Sequence, residues 1–278
     1  MPQKPLQILS NDYFEQYKAQ QPYTIDKHFK KLNSIEQGNQ TFNFYMTGAA
    51  VYSSQIEGNR IDFDSFLKYK DSGMNTIGKS YKEIEDLTKA YQFAKTENLT
   101  PENALKAHQI LSSTFIETEV YRGNLRDKRV GVYGAGQKIY EAAQPEILHQ
   151  EWDKLFKDIN TFSIAGDFNR PTTTLHTSPP TTPLSIDEIF YYAAQIHLTF
   201  SHIHPFADGN GRAARLLEKW FLATHLGYSA WFIQSEKMYF KQLPAYSRNI
   251  HLGTDYTLLD YSACIPFLKM LPAALKLK

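Results

Sequence analysis

Apolar residues in this chain recur every three to four positions over most of its length, and that period admits helices and little else. In YKEIEDLTKAYQFAK, residues 81–95, Ile84, Leu87, Tyr91 and Ala94 fall on one buried stripe. In residues 40–56, Phe44, Ala49, Tyr52 and Ile56 fall near one face, and Gly58 stands where that helix would end. Residues 63–69 read as a short helix. Pro101 suits a first helical turn, with residues 104–115 following, and Pro145 opens a helix through EILHQEWDKLFKDI. Ser185-Ile-Asp-Glu188 is a capping box and predicts a helix through about His202. One stretch breaks the period. In RVGVYGAGQKIYEA, residues 129–142, Val130 and Val132 alternate with other residues and GAG supplies turn conformations, so an exposed β-hairpin is expected. PTTTLHTSPPTTPL, residues 171–184, reads as a loop. The expected fold class is all-α, a helical bundle with one β-hairpin.

Composition serves mainly to exclude. A chain of 278 residues can bury one large core or two modest ones. The formal net charge of +1 provides no global field toward nucleic acid or membrane, and neither is expected as a partner. No apolar run approaches the roughly 20 residues that span a bilayer. Cys264 is the only cysteine, so neither an intrachain disulfide nor a cysteine-based zinc site can form. MPQKPLQILSNDYFEQYK lacks the apolar core and small-residue cleavage site of a signal peptide, and a cytoplasmic location is expected.

The chemistry-bearing residues are concentrated in HPFADGNGRAAR, residues 204–215. The capped helix stops before Pro205, because a residue preceding proline avoids helical geometry. A new helix starts near Asn210 or Gly211 and runs to Gly227. On it, Leu216, Leu217, Trp220 and Phe221 share an arc of about 140°. Arg212, Arg215 and Lys219 fall on the other side. A helix N-terminus already carries unpaired N–H groups and the positive end of the dipole, so arginines there are unfavourable unless a polyanion binds. Glycines let the backbone approach that anion, and phosphate is the natural candidate. Asp208 would be repelled by phosphate unless a metal lay between them, which implies Mg²⁺. Asn210 can donate an amide N–H to a phosphate oxygen. His204 titrates near neutrality and suits a general base, and Phe206 turns inward to anchor the loop. Together these make a nucleotide-transfer site. His197, His202 and His204 raise a zinc alternative, but His197 and His202 are five apart and share no helix face, so both read as packing or supporting residues. GMNTIGKS, residues 73–80, satisfies the P-loop pattern, yet no apolar strand precedes it and a loop between helices is expected.

HPFADGNGRAAR resembles the complete Fic motif, HxFx(D/E)GNGRxxR, without departure, and the resemblance extends over roughly residues 100–250. It implies a Fic-fold helical bundle with a hairpin flap, and a protein adenylyltransferase moving AMP from ATP to a Ser, Thr or Tyr hydroxyl of an unidentified target protein. His204 would deprotonate that hydroxyl and Asp208 would hold Mg²⁺. Gly209, Asn210, Gly211 and Arg212 would cradle the phosphates, with Arg215 on the γ-phosphate. The hairpin, placed near Val130 to Glu141, would dock the target by strand addition. Domains are expected at 1–99 (helical, inhibitory), 100–250 (Fic) and 251–278 (helical extension), with a homodimer suggested by the resemblance. Tyr239 and Phe240 stand where relatives contact adenosine with a tyrosine pair, while Ser247 replaces an expected Asn and EAAQP lacks a double proline.

SSQIEGNR, residues 53–60, resembles the family's inhibitory pattern (S/T)xxxE(G/N), with Ser53, Glu57 and Gly58 in register. Ser53 and Glu57 share a helix face. Glu57 lies at the helix C-terminus, where a negative charge is unfavourable by about 0.3–1 kcal/mol and a cation would offset it. The resemblance names that cation as Arg215, which could not then hold the γ-phosphate. Two alternatives stay open: AMP removal or another phosphoryl transfer at the same site, and a non-catalytic nucleotide-sensing module.

Overall fold

The computed structural model describes residues 5–72, 78–134, 136–162 and 183–277. Two short helices, α1 (Phe14–Ala19) and α2 (Ile25–Phe29), lead into α3 (Asn39–Ile56), α4 (Phe63–Ser72), α5 (Lys79–Thr96) and α6 (Pro101–Leu111). A two-stranded antiparallel hairpin follows, β1 (Gly131–Gly134) with β2 (Gln137–Glu141). Then come α7 (Pro145–Thr161), α8 (Ile186–Ile203), α9 (Asn210–Leu226), α10 (Ser235–Lys241) and α11 (Leu243–Asn249). The architecture is the expected helical bundle with one hairpin.

Helix α8 is the hub. Every residue from Ile189 to Phe200 is buried, because α1, α2, α7 and α9 pack around it. A helix apolar on all sides can lie nowhere but inside. Its start is the capping box: Ser185 Oγ accepts from Glu188 N, and the Glu188 carboxylate accepts from Ser185 N at 2.7 Å. Helix α9 runs back along α8, so the loop of residues 204–209 turns between the two most buried helices. Each fully buried Leu, Ile or Phe contributes about 1.5–3 kcal/mol, and Phe200, Ile203, Leu216 and Phe221 anchor both sides of that turn.

The stripe of α5 lies inside as read: Ile84, Leu87 and Tyr91 are 0% exposed and Ala94 1%. Helix α6 starts at Pro101, capped by Thr100, but ends at Leu111, short of the expected Phe115. The face of α3 differs from the reading. Phe44 is 54% exposed, and the buried residues are Phe42, Met46, Thr47, Ala49, Ala50, Val51, Ser53 and Ser54. Because α3 is packed by both α5 and α10, small and hydroxylated residues are buried where neighbours come close. That rotation is what turns Ser53 inward. The helix ends as expected: Gly58 has φ +92°, and the Gly58 and Asn59 amides donate back to Gln55 and Ser54 carbonyls, a Schellman closure.

Helix α9 also departs from its wheel. Arg212, Arg215 and Lys219 do not form a solvent-facing cationic side, for all three are at least 94% buried, at 6%, 0% and 0% exposure. Lys219 pairs with Glu236 at 3.0 Å and donates to the Ile233 carbonyl, so it belongs to the core rather than to an anion site. The P-loop-like segment joins α4 to α5, two helices, with no strand leading into it; its residues 73–77 lie outside the described residues. Most of the expected loop at 171–184 also lies outside them. No described helix is long and apolar enough to cross a membrane.

Candidate active site

His204 caps α8 in the left-handed region, at φ 53°, and is the only non-glycine residue with positive φ among the described residues. Pro205 forbids helical continuation, and the residue before it takes up the turn. The ring Nδ1 lies 3.2 Å from the Ser201 carbonyl. A carbonyl can only accept, so Nδ1 carries the proton and Nε2 keeps its lone pair, with no hydrogen-bond partner among the described residues. Burial holds the His204 pKa below its ordinary 6.5, and nearby Arg126 pushes the same way. The Ser201 carbonyl, Glu57 and Asp208 pull partly back. Near neutral pH this is an unprotonated imidazole with an open Nε2, the form a general base needs.

The loop beneath it is built by three buried groups. Phe206 is 1% exposed and stacks on His108, with ring centroids 3.5 Å apart. His108 accepts from Gly123 N at Nδ1 (3.0 Å) and so donates from Nε2 to the Asp208 carbonyl (2.9 Å). Its burial pushes its pKa down to about 4, which keeps that tautomer neutral. Asn210 is 2% exposed, and its side chain accepts from Phe206 N and donates to Phe206 O, both at 2.8 Å. The amide expected to reach a phosphate is thus engaged in closing the loop. Gly209 has φ +79°, and a Cβ there would meet the Phe115 ring at 2.8 Å. Asp208 points outward and is exposed. Its Oδ1 accepts from Gly209 N at 2.6 Å, leaving carboxylate capacity free.

The start of α9 carries the cations. Arg212 lies over the Phe115 ring at 3.5 Å and within 3.7 Å of Glu83, with its Nε unpartnered. Arg215, 0% exposed, donates from Nε to Ser53 Oγ (2.8 Å), from Nη2 to Ser53 O (3.1 Å) and Glu57 Oε1 (2.7 Å), and from Nη1 to Tyr246 OH (3.2 Å). Burial opposes the Arg215 charge, yet Tyr246 and Glu57 outweigh it and raise its pKa. Burial likewise opposes the Glu57 charge, and Arg215 overrides it, lowering the pKa. The Glu57 carboxylate also covers Gly211, where a Cβ would collide with Oε1. An acid side chain from α3 therefore lies over the first turn of α9, where an anion would bind.

The remaining residues sort as follows. His197 donates from Nδ1 to Glu218 at 2.7 Å and lies 2.9 Å from Tyr246 OH through Nε2, fully buried, a supporting role as read. His202 lies 2.8 Å from the Ile250 carbonyl through Nε2, also inside. Among the described residues no group of three or more His, Cys, Asp or Glu could hold a metal ion, so the zinc alternative has no support there. Tyr239 is a correction. It is 0% exposed, donates to Glu218 Oε2 at 2.6 Å and packs against His197, Tyr246 and Phe267, so no base can stack on it. Phe240 is half-buried against Tyr52, 5.7 Å between ring centroids. Ser247 is exposed. In the hairpin, Gly131 pairs with Glu141 and Val132 with Tyr140; the register slips between Val132 and Tyr133. The outer edge of β1 pairs with no strand among the described residues. Sequence reasoning missed His108, Arg126, Tyr246 and Phe115. His108 lies on the buried stripe of α6 and reads as core, and nothing local marks the others.

Fold and site define an all-α protein whose central helix pair presents a histidine, a carboxylate and two arginines around one helix N-terminus. Residues 98–222 match the Fic/DOC family, and the chain carries a Fic/DOC domain. At the family level this supports transfer of a nucleotidyl or phosphoryl group. Among solved structures, a Fic family protein of Desulfovibrio desulfuricans is 19% identical, with a TM-score of 0.67 over 92% of this chain and 74% of that one. A Fic domain containing signaling protein of Bacteroides thetaiotaomicron is 20% identical, with a TM-score of 0.59 over 95% of this chain and 91% of that one. Fic-1 from C. elegans is 16% identical, with a TM-score of 0.60 over 90% of this chain and 67% of that one. These likenesses establish the fold. No curated protein matches the chain.

Proposed function

We propose that this protein transfers AMP from ATP to a hydroxyl of a protein target and is restrained by Glu57. The observation that carries the reading is the neutral His204 with an open Nε2, set beside an anion-ready helix start whose arginine is held by a removable carboxylate. In the transfer, Nε2 takes the hydroxyl proton. The oxygen bonds to the α-phosphorus, the bond to the β-phosphate oxygen breaks, and pyrophosphate leaves. Little covalent work falls to the protein, so positioning and electrostatics carry the rate. The first-turn amides of α9 and the Arg212 and Arg215 guanidiniums would offset the triphosphate charge.

Asp208 is the residue suited to Mg²⁺. Its carboxylate is exposed with capacity to spare, and because no three-ligand cluster surrounds it among the described residues, an ion there would depend on phosphate oxygens as Mg²⁺ does. When bound, the ion would neutralise phosphate charge. The free edge of β1 suits an extended target segment. Intact-mass spectrometry of the Glu57→Gly protein with ATP and Mg²⁺ tests the reading. One added adenylyl group, labelled from the α- and not the γ-phosphate and absent in Glu57→Gly/His204→Ala, is expected. Label from the γ-phosphate, or ATP binding with no transfer, would replace this reading with another phosphoryl transfer or a sensing module.

A further inference from the structure

One buried arginine outside the motif touches the motif's histidine. Arg126 is 3% exposed, and all three of its guanidinium nitrogens donate to backbone carbonyls. Nε donates to His204 O at 2.7 Å, Nη2 to Ile203 O at 3.3 Å and Ala143 O at 2.5 Å, and Nη1 to Lys128 O at 2.6 Å. Its own backbone N–H donates to Pro205 O at 3.0 Å. Lys128 precedes β1 and Ala143 follows β2, so these are the two feet of the hairpin. The other oxygens belong to the end of α8 and the turn that holds His204. A cation at that helix end is favoured by the dipole. A planar fork of five fixed donors on three nitrogens suits four carbonyls spread over two elements, whereas a lysine offers three donors on a single nitrogen.

His204 needs such a restraint. A left-handed conformation costs a non-glycine residue about 1–2 kcal/mol and persists only where the surroundings over-determine it. Arg126 binds the carbonyls of His204, through its side chain, and of Pro205, through its backbone N–H. Tyr140 adds one further tie from β2, donating to His202 O at 2.7 Å.

We propose that Arg126 is a positioning residue, locking the hairpin and the His204 backbone into one frame so that a strand bound on β1 presents its hydroxyl to Nε2. The inference rests on the reading of His204 as the base. Burial first, and then the same guanidinium, disfavours a proton on the imidazole, against the pull of the Ser201 carbonyl, which is consistent with that frame.

The test uses the full chain carrying Glu57→Gly, with self-modification by α-labelled ATP as the rate and equilibrium dialysis of ATP as an independent measure. Adding Arg126→Lys should lower kcat at least about tenfold while KM and Kd for ATP stay within about threefold, since the phosphate groups are untouched. Amide hydrogen exchange across residues 131–141 should speed up in the same variant. Arg126→Ala should lose more, with part restored by millimolar guanidinium but not by sodium chloride of equal ionic strength. A parent-like rate and exchange in Arg126→Lys overturns the proposal. So does a loss of ATP binding in step with the rate, which would make the residue merely structural, and so does failure of both variants to fold. If His204→Ala transfers at the parent rate in this background, the base reading fails first; a dead His204→Ala beside a fully active Arg126→Lys sinks the Arg126 inference alone.

Discussion

Replacing Glu57 should raise transfer by an amount that the contact itself sets. Glu57 Oε1 lies 2.7 Å from Arg215 Nη2, with side-chain exposures of 35% and 1%. Two unit charges about 4 Å apart attract by about 4 kcal/mol at an effective dielectric of 20. A third of the glutamate side chain faces water, and both groups lost hydration on pairing, so the net is smaller. A charge-assisted hydrogen bond contributes about 1.5–3 kcal/mol, and that is the range to expect. At 1.4 kcal/mol per decade it corresponds to roughly 10- to 150-fold more productive ATP binding in Glu57→Gly, with Glu57→Gln between the two. The same energy should leave the stability of the nucleotide-free variant. Arg215 keeps Ser53 and Tyr246 but loses its one carboxylate, so the apo protein should unfold at lower urea and recover when ATP and Mg²⁺ are added. The assay is the initial rate of α-label incorporation at subsaturating ATP, paired with urea midpoints. An unchanged rate together with an unchanged midpoint would show that the Glu57–Arg215 contact restrains nothing.

Two pH dependences follow from the buried histidines. The base must be unprotonated, and the His204 pKa lies below 6.5, chiefly through burial. Transfer by Glu57→Gly should therefore be flat near pH 7 and fall through a midpoint below 6.5; removing Glu57, whose charge raises that pKa, moves the midpoint further down. A pH–rate profile with its acid midpoint above 6.5 would exclude His204 as this base. His108 and His202 are each pushed down to about 4 by burial. They bind protons more readily unfolded than folded, so stability is fully present above about 6.5, lost as pH falls from there to about 4, and unaffected by them below. Each is worth up to about 3 kcal/mol over that window. Urea midpoints near pH 7 and pH 5 check this, and equal midpoints would contradict the buried neutral rings.

The legible parts of this protein were those encoded over short distances. The capping box of α8, the stripe of α5, the glycine closure of α3 and the alternation of the hairpin each need only neighbours along the chain. The motif loop was legible in part for a similar reason: Pro205 stops one helix and Gly209 takes a positive φ that other residues avoid, whereas Asn210, expected to reach a phosphate, closes the turn on Phe206. Where packing decides, local pattern misled. Phe44 is larger and more apolar than Ser53, so local pattern runs the α3 face through the phenylalanine, yet two flanking helices bury the serine and the ring is exposed. Tyr239 looked available to a base until α11 and the buried His197–Glu218 pair closed over it.

By itself the sequence determined the main helices, the hairpin and most of their starts, and that a histidine, a carboxylate and two arginines fall within one twelve-residue stretch. Period, caps and φ preferences act between residues a few positions apart. Apart from the Glu57–Arg215 pair, which the motif resemblance implied, tertiary structure decided the partners. Arg215 meets Ser53 and Glu57 across more than 150 positions of chain, and Arg126 reaches His204 across 78. Such pairings depend on how helices stack, and no local spacing records that, because the energy that brings them together is spread over the whole core.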